Sequence, residues 1–176
     1  MLKKLALLWI ASIAIFLWWC GSKSTQVNLP IEGTKLQISL PQNYQSIPSS
    51  LLSGESGFVV QKWIKIEEGQ ICTIGKTTFE QNYGEKLPMQ YIKSLQEFFP
   101  GFSLSTLKTK QIKCGAQTYN ITFAQFIVPK DAQSSYTFYQ ALIPQGKTLI
   151  VVSCQSYQPL KDLQNIVYSI KCLNNE

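Results

Sequence analysis

The chain of 176 residues has no histidine and no arginine. Without imidazole, Ser-His-Asp triads, Cys-His dyads and the usual nitrogen-ligated metal sites are excluded. Without guanidinium, bidentate clamps on phosphate, carboxylate or guanine are excluded as well. All sixteen positive charges are lysines, and the formal net charge of +6 falls to +4 without Lys3 and Lys4. So small a surplus, spread along the chain, suits solubility or proximity to an anionic membrane, and no nucleic-acid partner is expected. Aspartate is nearly as scarce. Asp131 falls in a predicted turn and Asp162 on the polar face of a predicted helix, where turn chemistry and solvation account for them. Glu67 and Glu68 sit together at a hairpin tip, where adjacent carboxylates are simply solvated. With no convergent acid–base set, the chain reads as non-enzymatic, with no catalytic residue, no cofactor and no metal site.

One long hydrophobic run is present. Leu5–Trp19 is uncharged, follows Lys3-Lys4 and precedes Cys20-Gly21-Ser22, the layout of an export signal. As a helix it would be roughly 22 Å long, short of the ~30 Å hydrocarbon core. Three readings stay open. In the first, the chain is a lipoprotein cut before Cys20, which then carries lipid. Leu17 and Gly21-Ser22 match such signals, and Trp18-Trp19 departs from their small residues. In the second, the helix stays as an anchor, with the tryptophans as an interfacial belt. In the third, the mature chain is cleaved and released. All three place residues 21–176 outside the cytoplasm, on the periplasmic or cell-surface side of a bacterial envelope. The organisation expected is a signal or anchor over 1–19, a flexible polar tether over 20–30 and one globular domain over 31–176.

Cysteine usage fits that address. Apart from Cys20 there are Cys72, Cys114, Cys154 and Cys172, and an even number in an exported domain favours disulfides over buried thiols.

Alternation of Leu36, Ile38 and Leu40 with polar residues predicts a first strand over 34–40, followed by a loop at 48–56. Strands over 57–66 and 70–79 form a hairpin about Glu67-Glu68-Gly69. Trp63 falls on one face of it, either packed beneath a helical layer or exposed at a ligand site. Pro88–Phe99 reads as a helix with an apolar stripe of Met89, Ile92, Leu95, Phe98 and Phe99, stopped by Pro100-Gly101. An antiparallel meander follows over 102–113, 118–128, 136–143 and 148–156. Lys108, Lys110 and Lys113 suit an edge strand guarded against aggregation. Pro159–Lys171 is a second amphipathic helix. The fold class expected is therefore α+β, one domain with a central, mostly antiparallel sheet flanked by helices.

Following the chain up and down this sheet gives the height of each cysteine. The meander leaves Cys114 at one end, and the last helix returns Cys172 to that end. The crossover between strands 70–79 and 102–113 makes those two parallel, placing Cys72 near the height of Cys154. The expected pairs are Cys72–Cys154 and Cys114–Cys172.

Leu40-Pro41-Gln42-Asn43-Tyr44 is similar to the strand-end Leu-Pro-x-Gly-aromatic of the PsbP-like superfamily, with Asn43 where glycine is usual. Thr148–Ile170, ending in Ser169-Ile170-Lys171, resembles that group's last strand and helix. The resemblance covers about residues 31–172 and extends to DcrB-like bacterial lipoproteins. It implies a central antiparallel sheet flanked by helices and carries no activity, since the group includes accessory subunits and envelope lipoproteins.

The function expected is a membrane-tethered module, held by lipid on Cys20 or by the N-terminal helix, that binds a protein partner. The alternative is a small-molecule or lipid binder with Trp63, Tyr136, Phe138 and Tyr139 as its apolar lining.

Overall fold

Stretches that alternate apolar and polar residues fold as strands, and their two faces are claimed by two separate cores. A computed structural model describes residues 25–48, 59–131, 133–157 and 160–173. The expected signal or anchor over 1–19, Cys20 and most of the expected loop at 48–56 lie outside these residues.

In chain order the strands are β1 (Gln26–Pro30), β2 (Leu36–Pro41), β3 (Gln45–Ile47), β4 (Val59–Lys65), β5 (Gln70–Thr78), β6 (Ser103–Cys114), β7 (Gln117–Pro129), β8 (Ser135–Gln145), β9 (Thr148–Ser156) and β10 (Lys171–Cys172). Helix α1 (Leu87–Phe98) lies between β5 and β6, and helix α2 (Lys161–Tyr168) between β9 and β10. Among the described residues the strands form a three-stranded sheet, β1-β2-β10, and a seven-stranded sheet, β3-β4-β5-β9-β8-β7-β6. The pairings are antiparallel. Four antiparallel steps separate β5 from β6, so these two strands run in the same direction, as the crossover through α1 predicts.

On one face, Trp63, Ile74, Ile121, Phe123, Ala141, Ile150 and Val152 pack against Leu163, Ile166 and Val167 of α2 and against Leu36, Ile38 and Leu40 of β2. On the other, Phe126, Val128, Leu142, Leu149 and Val151 pack against Leu87 and Ile92 at α1. The molecule is thus α1, the large sheet, and then a layer shared by α2 and the small sheet.

Four expectations are corrected. Residues 26–30, read as tether, are β1, paired with β2 in the register Gln26↔Pro41 to Pro30↔Gln37. Only Leu29 of β1 packs on the core, so the strand shows little of the apolar alternation that would reveal it. The last helix ends at Tyr168, and Lys171–Cys172 turn into a strand against Gln37 and Leu36. The stripe of α1 is rotated from the one expected. Leu87, Pro88 and Ile92 are buried with Tyr91 and Leu95 beside them, whereas Met89, Phe98 and Phe99 are exposed. Ile66, read as the last residue of the strand over 57–66, instead begins a 3-10 turn (Ile66–Glu68) and is 72% exposed.

Asn43 also has a local explanation. Among the described residues no non-glycine residue has positive φ, so this strand-end turn does not need the glycine usual in the resembling group. The turn closes with Tyr44 N donating to Pro41 O at 3.2 Å. By contrast Gly69, at φ +60°, closes the β4–β5 hairpin where an L side chain would be strained.

Candidate functional site

The end of the large sheet opposite the Cys114 hairpin gathers the site. There β4 ends and β5 begins, β7 ends and β8 begins, β9 runs into α2, and α1 feeds β6. At the β4–β5 tip a Cβ on Gly69 would sit 3.7 Å from the ring of Tyr157. Tyr157 stands 4.5 Å from Tyr136, centroid to centroid, with the two hydroxyls 2.7 Å apart. Tyr136 leads inward to Phe138 at 6.2 Å, Phe138 stacks on Phe126 at 5.1 Å, and Phe126 meets Phe102 at 4.8 Å. An unbroken aromatic run therefore connects the exposed Tyr157 to the core under α1. Lys130 Nζ lies 4.9 Å over the Tyr157 ring, a cation–π contact. The hydrogen bond with Tyr136, and then Lys130, lowers the pKa of the Tyr157 phenol, while the same hydrogen bond raises that of Tyr136.

Beside this run a groove of about 390 Å³ opens between α1 and the sheet, lined by Tyr91, Leu95 and Phe99 of the helical side and by Ile71, Phe126, Phe138, Gln140 and Val151 among others. Gln140 is 5% exposed. Its amide nitrogen donates to Ser153 Oγ at 3.2 Å, but its Oε1 is buried with no partner among the described residues. Burial pushes the Tyr91 phenol up, opposed by a hydrogen bond with Gln140. The groove thus has largely apolar walls, with the Gln140 amide buried among them.

A second, polar pocket of about 290 Å³ lies between α2, β2 and the β4–β5 hairpin, with Ser39, Tyr44, Gln70, Asp162, Asn165 and Ser169 in its walls. The Tyr44 hydroxyl donates to Gln70 Oε1, the Gln70 amide donates to Glu68, and Glu68 pairs with Lys65. Burial first, then the charges of Glu68 and Asp162, hold the Tyr44 phenol well above the ordinary tyrosine range. Ser169 Oγ accepts from Ser39 N at 2.9 Å. Tyr44, Gln70, Glu68 and Lys65 thus form one connected chain, and the Ser39–Ser169 bond fastens the end of α2 to β2.

The four aromatic candidates do not share a surface. Trp63, Cys72, Cys154 and Tyr139 form one row across β4, β5, β9 and β8 in the core beneath α2, with Trp63 at 8% and Tyr139 at 6% exposure. Trp63 therefore packs beneath the helical layer. Tyr136 and Phe138 lie on the opposite face, in the aromatic run. The cysteines pair as their heights predict, Cys72 with Cys154 and Cys114 with Cys172. Strand β6 is an edge, as its lysines suggest; Lys108 and Lys110 flank Phe123 and Tyr168 there. Tyr91, Gln140 and Tyr157 were not anticipated. The parity of 136, 138 and 140 on one strand face was the available signal for Gln140.

The arrangement is the PsbP- and Mog1-like fold. The cyanobacterial PsbP of Synechocystis, CyanoP, matches with a TM-score of 0.55 at 10% identity, over 86% of this chain and 95% of that one. The Saccharomyces cerevisiae Ran-binding protein Mog1p matches with a TM-score of 0.50 at 12% identity, over 86% of this chain and 97% of that one. At such identities the likeness is of fold alone. No protein-family model matches the chain, and no curated protein matches it by sequence. Among the described residues no helix is long and apolar enough to cross a membrane.

Proposed function

We propose that the chain is an exported envelope lipoprotein of the DcrB-like kind, tethered by lipid on Cys20, that does no chemistry of its own and binds a protein partner in the groove between α1 and the sheet. The groove carries this reading. Its aromatic and aliphatic walls suit an apolar side chain of the partner, with Gln140 as a polar residue in the lining. The two disulfides are compatible with an oxidising address. Mog1p, a Ran-binding protein by name, supports the idea that this fold can present a protein-binding surface. A second reading, a small-molecule or lipid binder, is favoured by the groove's volume of about 390 Å³, which falls among small-ligand sites.

A photoreactive residue at position 95, inside the groove, tests both readings against one at position 93, on the exposed side of α1. A discrete protein adduct from 95 and none from 93 supports partner binding. A co-purifying small molecule in native mass spectrometry, without a protein adduct, supports the second reading. The absence of both a protein adduct from position 95 and a co-purifying small molecule overturns both readings.

A further inference from the structure

The chain enters the domain at the end of the sheet that carries its most exposed apolar side chains. Thr25 O accepts from Gln42 N, and Gln26 pairs with Pro41 at the far end of β2 from Cys172. Gln26 shares the polar pocket with Lys65 and Gln70, the two roots of the hairpin whose tip exposes Ile66. Tyr157, 48% exposed, lies against that tip at Gly69. Phe98, 80% exposed, ends α1 at the same level, next to the Phe99 that lines the groove with Val128 and Gln155. From Cys20 to Thr25 the chain can span at most about 18 Å when fully extended. A membrane-held Cys20 therefore keeps this end, and not the Cys114 end, beside the bilayer.

We propose that this end rests on the lipid surface, with Ile66, Phe98 and Tyr157 entering the interfacial region. The proposal builds on the tethered reading above. Aromatic and aliphatic side chains are favoured at the depth of the headgroups. Charge adds little here, because Lys65 pairs with Glu68 and Lys130 is followed directly by Asp131. The contact is thus apolar and insensitive to salt, unlike a polybasic attachment.

The test places the full chain in phosphatidylethanolamine–phosphatidylglycerol vesicles containing a lipid with a photoactivatable acyl chain, followed by illumination and peptide mapping. Peptides holding Ile66, Phe98 and Tyr157 take up label several-fold more than those holding Gly115 and Gly146 at the opposite end, in low and high salt alike. The I66S/F98S variant still floats with the vesicles but loses most of that label. Both side chains are largely exposed, so the core is left intact. A chain that floats yet is labelled evenly, or only at the opposite end, overturns the docking and leaves the tether standing. A chain that does not float overturns the tether and the docking with it.

Discussion

Cys72 and Cys154 stand directly opposite each other on β5 and β9, with Cα atoms 4.1 Å apart, in the row that runs from Trp63 to Tyr139. Their bond joins two neighbouring central strands, whereas Cys114–Cys172 ties the β6–β7 hairpin to β10. The bonds span 82 and 58 residues of sequence, so each constrains the unfolded chain by about 4 kcal/mol before any native strain. Non-reducing peptide mapping should recover these two pairs, and C72A/C154A should lower the thermal midpoint strongly. Cys72 and Cys154 are buried, while Cys172 is half-buried near the end of the sequence. Limited reductant followed by thiol labelling should therefore modify Cys114 and Cys172 first.

Trp63 is a packing residue. Truncation of so large a buried aromatic costs about 3–5 kcal/mol, so W63A should show that loss in denaturant unfolding. Ile66, three residues along and 72% exposed, should tolerate I66S within about 0.5 kcal/mol.

Gln140 separates stability from binding. Replacing it by leucine removes a buried acceptor with no partner among the described residues, but also the amide that serves Ser153 Oγ and Tyr91. The two effects oppose each other, so Q140L should unfold within about 1 kcal/mol of the parent. The same variant, which changes a residue of the groove lining, should reduce the adduct formed from position 95. Retained adduct with lost stability would reverse that assignment.

Asp131 organises the β7–β8 turn, accepting from Ser134 Oγ at 2.5 Å, from Ser134 N at 2.8 Å and from Gln133 N at 2.9 Å. The Ser134 side chain, then the two backbone groups, hold its carboxyl below the usual range. A depressed folded pKa stabilises above the unfolded value, about 3.9, and that gain is lost as pH falls through the folded value. The stability difference between the parent and D131N should be flat above about pH 5 and shrink steadily in stronger acid. An unchanged difference down to pH 2 would exclude this role.

Much of the fold was legible in the residues. Period-two alternation exposed the meander, Glu67-Glu68-Gly69 the hairpin, and the count of chain reversals placed the four cysteines at paired heights. What escaped was set by tertiary contact. Gln26–Pro30 and Lys171–Cys172 carry no strong pattern and become strands because the two edges of β2 are there to receive them. The helix stripe was misjudged because apolar residues on α1 exceed what one face can bury, leaving Phe98 to solvent. The expected ligand lining failed on parity: Tyr136 and Phe138 cannot share a face with Tyr139 on a regular strand. The groove was invisible because it joins Tyr91 to Gln140 across a layer boundary that no local pattern records.

Whether the module is exported and held at a membrane by Cys20 is decided by mass spectrometry of the N-terminal peptide of the mature chain purified from membranes. The expected chain begins at Cys20 and carries a diacyl or triacyl modification. A chain beginning at Met1, or an unmodified N-terminus in the soluble fraction, would contradict it.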